Sequence, residues 1–271
     1  MKKMVILLVF SMVLLAVPFS LPAYDASPSG VKVIPECIWA AATGGGTWET
    51  EIQITNMTSG SMVINVIFFY GGGLQRGPFT LFTGLITYHS VKYSNILQTI
   101  DGLDAGAFTY YGLVGAVSFT TDSILHKILV TAKTVNGNYG KTFPGLNAVE
   151  ANTAAQGREM VIHSLTNSAL YRTFTGFFNT SNSITYAVTF KIISSTNGSV
   201  GSTFYKTFVP LEYMAFNPFV EAGAGSGTYA NCWLYINASG SNSEHGIMCY
   251  GSIANNYSND PSALIAYPWS L

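Results

Sequence analysis

The chain has 271 residues, of which 48% are hydrophobic and only 9% charged, with 12 basic against 13 acidic side chains. A balance this even, with no Lys/Arg cluster, excludes a nucleic-acid partner gripped through its phosphates. The polar surface must come from Ser, Thr, Asn and Gly, and the abundance of Tyr, Phe and β-branched residues favours strands.

The first predicted element is a leader. Lys2 and Lys3 form a basic start, Met4 to Val17 is an uncharged apolar run, Pro18 and Pro22 interrupt it, and Leu21-x-Ala23 offers small residues for cleavage. Residues 1–23 therefore read as a signal peptide, and the mature chain is expected to be secreted or held at the cell surface. The run is short for a span of roughly 20 residues and lacks a positive stop-transfer flank, which disfavours a membrane anchor. Loss of the leader removes two basic residues and no acidic one.

After the leader, apolar/polar alternation predicts strands near Cys37–Ala41, Glu49–Thr55, Met62–Tyr70, Pro78–Phe82, Ile86–Val91, Phe108–Phe119 and Leu125–Thr134. "TGGG", "TSGS", "GGGLQRG" and "TTDS" read as turns, and Ser94–Leu103 is the best helix candidate. The stretch from Phe143 to Glu159 has no alternation and reads as a linker. Beyond it, strands are predicted near Met160–Leu165, Tyr171–Phe178, Thr185–Ser194, Phe204–Val209, Met214–Pro218, Thr228–Ile236 and Gly246–Ala254.

The second series echoes the first. "TWETEIQITN" (Thr47 to Asn56) matches "LYRTFTGFFN" (Leu170 to Asn179), with Trp48 against Tyr171, Thr50 against Thr173 and Asn56 against Asn179. These residues mark a repeated early core strand. Trp48 and Tyr171 are expected to plug the sandwich at one end. Asn56 and Asn179 are expected to satisfy backbone groups where the strand turns. The expected architecture is all-β: two tandem immunoglobulin-like antiparallel sandwiches at 31–145 and 159–271, joined by a linker at 146–158.

These stretches, with "AKTVNGNYGKTFPGL" and "CYGSIANNYSNDP", resemble a family of exported bacterial tandem β-sandwich proteins of uncharacterised role. That family carries "G-G-T-x-W-x-T-D-L-x-L-x-N-P", "S-R-T-Y-N…G-T-Y-G-Q-x-I-P", "R-T-N-L-G-L-x-N" and "Y-A-S-x-V-D-N-x-T-G-D-P" patterns. The likeness spans nearly the whole mature chain, in order. Glu51 stands where the family has Asp, Lys133 where it has Arg, and Asn255 where it has Asp. The resemblance implies a secreted or cell-surface tandem sandwich and no particular activity.

Chemistry-bearing residues are sparse. Treating residues 232–249 as a hairpin turning on Gly240-Ser241 places Cys232 opposite Cys249, where Cα atoms lie about 4.5 Å apart, within disulfide range. A Cys232–Cys249 bridge is therefore expected, with two buried thiols on a slipped register as the alternative. Cys37 is left over, either buried or available to another chain. His89, His126, His163 and His245 form no ligand motif, and neither a nucleophile elbow nor a nucleotide loop occurs. No catalytic, metal or cofactor residue is assigned. Glu49 and Glu51 share a strand face and read as solvated. The loops around Asp101 and Asp104 and before Asp260 are oxygen-rich, but such loops are more often Asx turns than calcium sites.

Adjacent rings in "FFY" (Phe68 to Tyr70), "TYY" (Thr109 to Tyr111) and "YPWSL" (Tyr267 to Leu271) point to opposite strand faces, one face core and the other either exposed for recognition or packed between domains. The expected function is a non-enzymatic structural or adhesive role at the cell surface, with other copies of the chain or a surface glycan as partner. A monomeric carbohydrate- or ligand-binding module is the alternative, and an outer-membrane β-barrel a weaker one.

Overall fold

The computed structural model describes residues 27–42, 45–148, 153–155, 157–196, 198–240 and 245–269. The expected signal peptide, the middle of the expected linker and the expected Ser241 turn lie outside them. In the first half the chain forms β1 (Val31–Ala41), β2 (Thr47–Asn56), β3 (Met62–Tyr70), β4 (Leu74–Leu85), β5 (Ser90–Tyr93), α1 (Ile96–Leu103), β6 (Leu113–Thr121), β7 (Ile128–Asn136) and β8 (Tyr139–Pro144). The second half forms β9 (Thr153–Ala154), β10 (Glu159–Asn167), β11 (Tyr171–Asn179), β12 (Tyr186–Ser194), β13 (Gly198–Phe208), β14 (Tyr213–Phe216), α2 (Pro218–Glu221), β15 (Tyr229–Ser239), β16 (Ile247–Asn255) and β17 (Pro261–Trp269).

All pairings are antiparallel. The first half pairs in the order β4-β3-β6-β1-β2-β7-β8 with β5 on β2, and the second in the order β13-β12-β15-β10-β17-β16-β11-β14 with β9 on β16. Each path bends into two layers through a strand that changes partners. β1 pairs with β6 along Val31–Trp39 and with β2 along Trp39–Ala41. β17 pairs with β16 along Pro261–Ile265 and with β10 along Ala266–Trp269. Neither path closes on itself among the described residues, so the arrangement is sandwich-like rather than a closed barrel.

The element order repeats, with β10 to β17 following one another as β1 to β8 do and α1 and α2 filling the same connection, but the pairings differ at one joint: β1 pairs with β2, whereas β10 pairs with β17. Both helices start on an Asn cap. Asn95 Oδ1 accepts from Gln98 N at 3.1 Å, and Asn217 Oδ1 accepts from Phe219 N at 3.0 Å. The sequence echo at Asn56 and Asn179 is a repeated clamp. Asn56 Nδ2 donates to the Gly60 and Leu85 carbonyls, both at 2.8 Å, while its Oδ1 accepts from Thr58 N at 2.8 Å. Asn179 Nδ2 donates to the Ile184, Phe208 and Val209 carbonyls at 2.8, 3.2 and 2.9 Å, and its Oδ1 accepts from Ser181 N at 3.0 Å. Both side chains are fully buried. Asn179→Ala will leave several of these groups without a partner and cost about 2–3 kcal/mol, measurable as a lowered urea midpoint.

Several strand ends differ from expectation; β6, for one, begins at Leu113 and not at Phe108. β4 begins at Leu74, inside the expected "GGGLQRG" turn, whereas residues 86–89, expected to be extended, form a turn with Tyr88 at φ 57°. The ends of the expected linker are hydrogen-bonded into the two halves. Leu146 pairs with Val33, and Thr153–Ala154 pair with Met248 and Ile247.

The halves share apolar surface. The first-half core continues into Phe178, Tyr213, Met248 and Tyr250 of the second half. Phe69 meets Phe178 at 4.9 Å between centroids, and Phe143 meets Tyr250 edge-on at 5.5 Å. Gly73 sits at φ +72°, where a Cβ would fall 2.6 Å from the Pro210 carbonyl oxygen, so only glycine lets the chains approach there. Thus the outer face of β1, β3 and β6 is covered by the outer face of β11, β14 and β16.

Candidate binding surfaces

The repeat-marking rings do not plug the sandwiches. Trp48 is half-buried on the wall of a cleft between the halves, and Tyr171 is exposed. Their β2 and β11 neighbours Thr50 and Thr173 do the inward work: each hydroxyl accepts from a β1 or β10 amide, at 2.9 Å from Ile38 N and 3.2 Å from Thr166 N. Glu51 pairs with Lys92 at 2.9 Å on the solvated face. Asn255 makes an Asx turn, its Oδ1 accepting from Tyr257 N and Ser258 N at 2.8 and 3.0 Å. Asp104 accepts from the Tyr110 hydroxyl at 2.9 Å. Among the described residues no three metal-ligating side chains cluster.

The expected Cys232–Cys249 bridge is absent: all three cysteines are free and buried. β15 and β16 are not a hairpin. Cys232 is paired to Leu165 and Ser194 in one layer, and Cys249 to Phe177 in the other. The chain crosses the sandwich between them instead of turning back on itself. Burial pushes the thiols of Cys37 and Cys249 well up, with Glu36 adding to the effect at Cys37. Cys37 is fully buried and so cannot reach another chain in the folded state. The folded protein will therefore take up no alkylating reagent, and the unfolded protein will react at all three thiols without prior reduction. Mass spectrometry of both samples checks this, and uptake at Cys37 alone would restore the bridge.

The cleft between the halves has a volume of about 380 Å³. Glu36, Trp48 and Lys141 lie on one wall and Arg172, Phe174 and Pro261 on the other. At its base Lys141 Nζ meets Glu36 Oε1 at 2.5 Å, and the Tyr213 and Tyr250 hydroxyls meet at 2.7 Å. Burial, and then the Glu36 charge, pushes both phenols far above their usual range. The cations of this cleft are already engaged. Lys141 is paired, and Arg172 donates to Asn256 and Asn259 at 2.9 and 2.8 Å. These bonds each lie within one half and leave little unspent hydrogen-bonding capacity for a ligand.

The other surface is the outer face of β10, β12, β15 and β17. In register, Asn237, Glu159 and Trp269 form one row and Tyr235, Val161 and Tyr267 the next. Trp233 and His163 follow, with ring centroids 6.1 Å apart. His163 lies 6.3 Å from Tyr267, and Trp233 lies 6.4 Å from Trp269. Val161 faces outward, since its neighbours Met160 and Ile162 belong to the core, yet it is 1% exposed beneath the flanking rings. The Tyr235 hydroxyl donates to Glu159 Oε1, and Asn237 Nδ2 donates to the same oxygen at 3.2 Å. Burial raises the Tyr235 phenol, and its bond to Glu159 adds to the effect. Trp233 Nε1 is buried without a partner. Tyr267 and Trp269 belong to the "YPWSL" rings singled out in the sequence. Phe69 of "FFY" went to the contact between the halves, and Phe68 and Tyr110 to the core. Trp233, Tyr235 and His163 carried no sequence signal beyond strand alternation.

No family model and no curated protein matches the chain. Among solved structures it is similar to that of infectious bursal disease virus, Gx strain, at 11% identity and a TM-score of 0.23, over 88% of this chain and 71% of that one. A VP2 subviral particle of the same virus gives 11% identity and a TM-score of 0.22, over 90% of this chain and 73% of that one. A lectin from Pleurotus ostreatus in complex with GalNAc gives 11% identity and a TM-score of 0.18, over 90% and 86%.

Proposed function

We propose that this chain is an exported, non-enzymatic protein of two tandem immunoglobulin-like sandwiches, related to the exported bacterial family it resembles, with an adhesive role at the cell surface. One observation carries the reading: the part-exposed, ring-lined outer face of the second half.

The register explains why the other half does not cover that face. Its counterpart in the first half presents Ala116 and Ser118 where the second half has Trp233 and Tyr235, by the matched pairings Phe69↔Ala116 and Ile193↔Trp233. Small residues let the first half accept a neighbouring sheet closely, and bulky rings at the same positions do not. The covering side differs as well. Where β11, β14 and β16 present Phe178, Tyr213 and Tyr250, the first half presents Thr55, Ser90 and Thr131, and Ser90 and Thr131 are exposed. Stacking of this kind therefore stops after one chain, as a repeat array stops at its capping units. This favours attachment over polymerisation by the same contact.

The test is retention of the labelled mature chain, Tyr24 onward, on washed bacterial envelopes, compared with a Trp233→Ala/Tyr267→Ala variant. Retention that drops with the variant supports adhesion through this face. A chain that never binds, or a variant that binds equally, defeats the reading.

A further inference from the structure

Resting on that reading, we propose that the occupant of the outer face of β10, β15 and β17 is a glycan of neutral pyranose units. A sugar ring lies flat against the aromatic cluster, and hydroxyls of the next unit bond to Glu159 and Asn237.

Four observations lead there. The rings are Trp, Tyr and His, not Leu or Ile. Such rings offer an apolar body to the C–H face of a sugar and a polar edge to its hydroxyls, whereas a protein core partner is served as well by aliphatic residues. The rings also form one continuous platform: Trp233 lies 6.4 Å from Trp269 and 6.1 Å from His163, and His163 lies 6.3 Å from Tyr267. Four rings in a row of contacts offer more surface than one sugar ring covers.

Hydrogen-bonding capacity is placed beside the rings. Glu159 receives both of its bonds on Oε1 from neutral donors, and Oε2 accepts none among the described residues. The carboxylate is thus steered by Tyr235 and Asn237 and keeps an acceptor for ligand hydroxyls. Trp233 Nε1 is buried without a partner, so that indole contributes its part-exposed ring and not a donor. The electrostatics then select among glycans. In the rows that hold the rings the charged side chains are Glu159 and, beside Tyr235, Lys191. One charge of each sign offers nothing to concentrate a sulfated or uronic polymer, so the chain recognised is uncharged.

A second copy of the protein is a poorer occupant. The sheet that would have to cover these rings by the intramolecular geometry presents Thr55, Ser90 and Thr131.

The experiment uses the full mature chain on an array of neutral, sulfated and uronic oligosaccharides, followed by calorimetric titration with the best neutral binder. Tyr267→Ala, whose exposed ring can be removed without opening the core, is expected to weaken binding about ten-fold, the loss of one stacked ring. Trp233→Ala should do the same or more, with the melting temperature recorded to show that the variant is folded. Glu159→Gln, which keeps the size and loses the acceptor charge, should weaken binding several-fold. Tyr257→Ala, at a distant turn, should leave it unchanged. Binding only to charged glycans, or neutral binding indifferent to Tyr267 and Trp233, overturns the proposal. If envelopes retain the chain through Trp233 and Tyr267 but free neutral oligosaccharides fail to compete and protease treatment abolishes retention, adhesion stands and the glycan assignment falls.

Discussion

Lys141→Met will destabilise the folded chain by about 3–5 kcal/mol, seen as a lowered midpoint in denaturant. The side chains of Lys141 and Glu36 are only 7% and 10% exposed and meet at 2.5 Å. The ammonium also lies 5.1 Å from the Phe143 ring centroid and 5.8 Å from that of Tyr250. Removing it leaves the Glu36 carboxylate facing those rings and two phenols with no cation to offset it. A buried ion pair contributes little against a neutral pair of similar shape, but half of one is costly. The double variant Glu36→Gln/Lys141→Met should therefore recover most of the loss. A single variant costing less than about 1 kcal/mol would mean that the pair behaves as a solvated surface bridge.

Gly176→Ala is expected to cost about 3 kcal/mol or more and to loosen the contact between the halves. A Cβ at Gly176 would fall 1.9 and 2.1 Å from two ring carbons of Tyr250 and 2.2 Å from its hydroxyl oxygen. That ring cannot step aside freely. Its hydroxyl bonds Tyr213 at 2.7 Å, and its edge meets Phe143. The added methyl must lift Tyr250 out of the shared core or push β11 away from β16. Calorimetry reads the outcome: a single cooperative transition in the parent chain and two separated transitions in the variant. Adding Tyr250→Ala should relieve the clash, so the two substitutions will be far from additive. If Gly176→Ala alone leaves the transition unchanged, the ring is not held where the structure places it.

Local chemistry was legible in the sequence, and neighbourhoods were not. The echo of Asn56 and Asn179 marked a hydrogen-bonding clamp because an Asn at a strand end has few other uses. The strand pattern of β7 was plain because Ile128, Val130 and Ala132 alternate with exposed residues. β8 escaped notice because Tyr139–Pro144 is short, with Gly140 and Pro144 breaking any alternation. The bridge between Cys232 and Cys249 failed for a more general reason. A turn signal at Gly240 says that the chain reverses, not whether it returns beside itself or across the sandwich. The ring-lined face failed to show for the same reason. Alternation puts Trp233 with Tyr235 and Tyr267 with Trp269, but only the strand order brings both pairs to either side of Val161.

The core shared between the halves also decides how the molecule bears load. Tandem sandwiches on a slack linker extend one at a time when pulled, each adding its own length to the tether. Here Phe69 is locked to Phe178, and Phe143 to Tyr250, across the junction. Leu146 and Thr153–Ala154 tie the connecting segment into the sheets on either side. Tension along the chain must shear that joint before either half can unravel. A chain built this way answers force as one stiff body with a single yield point, and it keeps its ring-bearing face at a fixed angle to the rest of the molecule until it breaks.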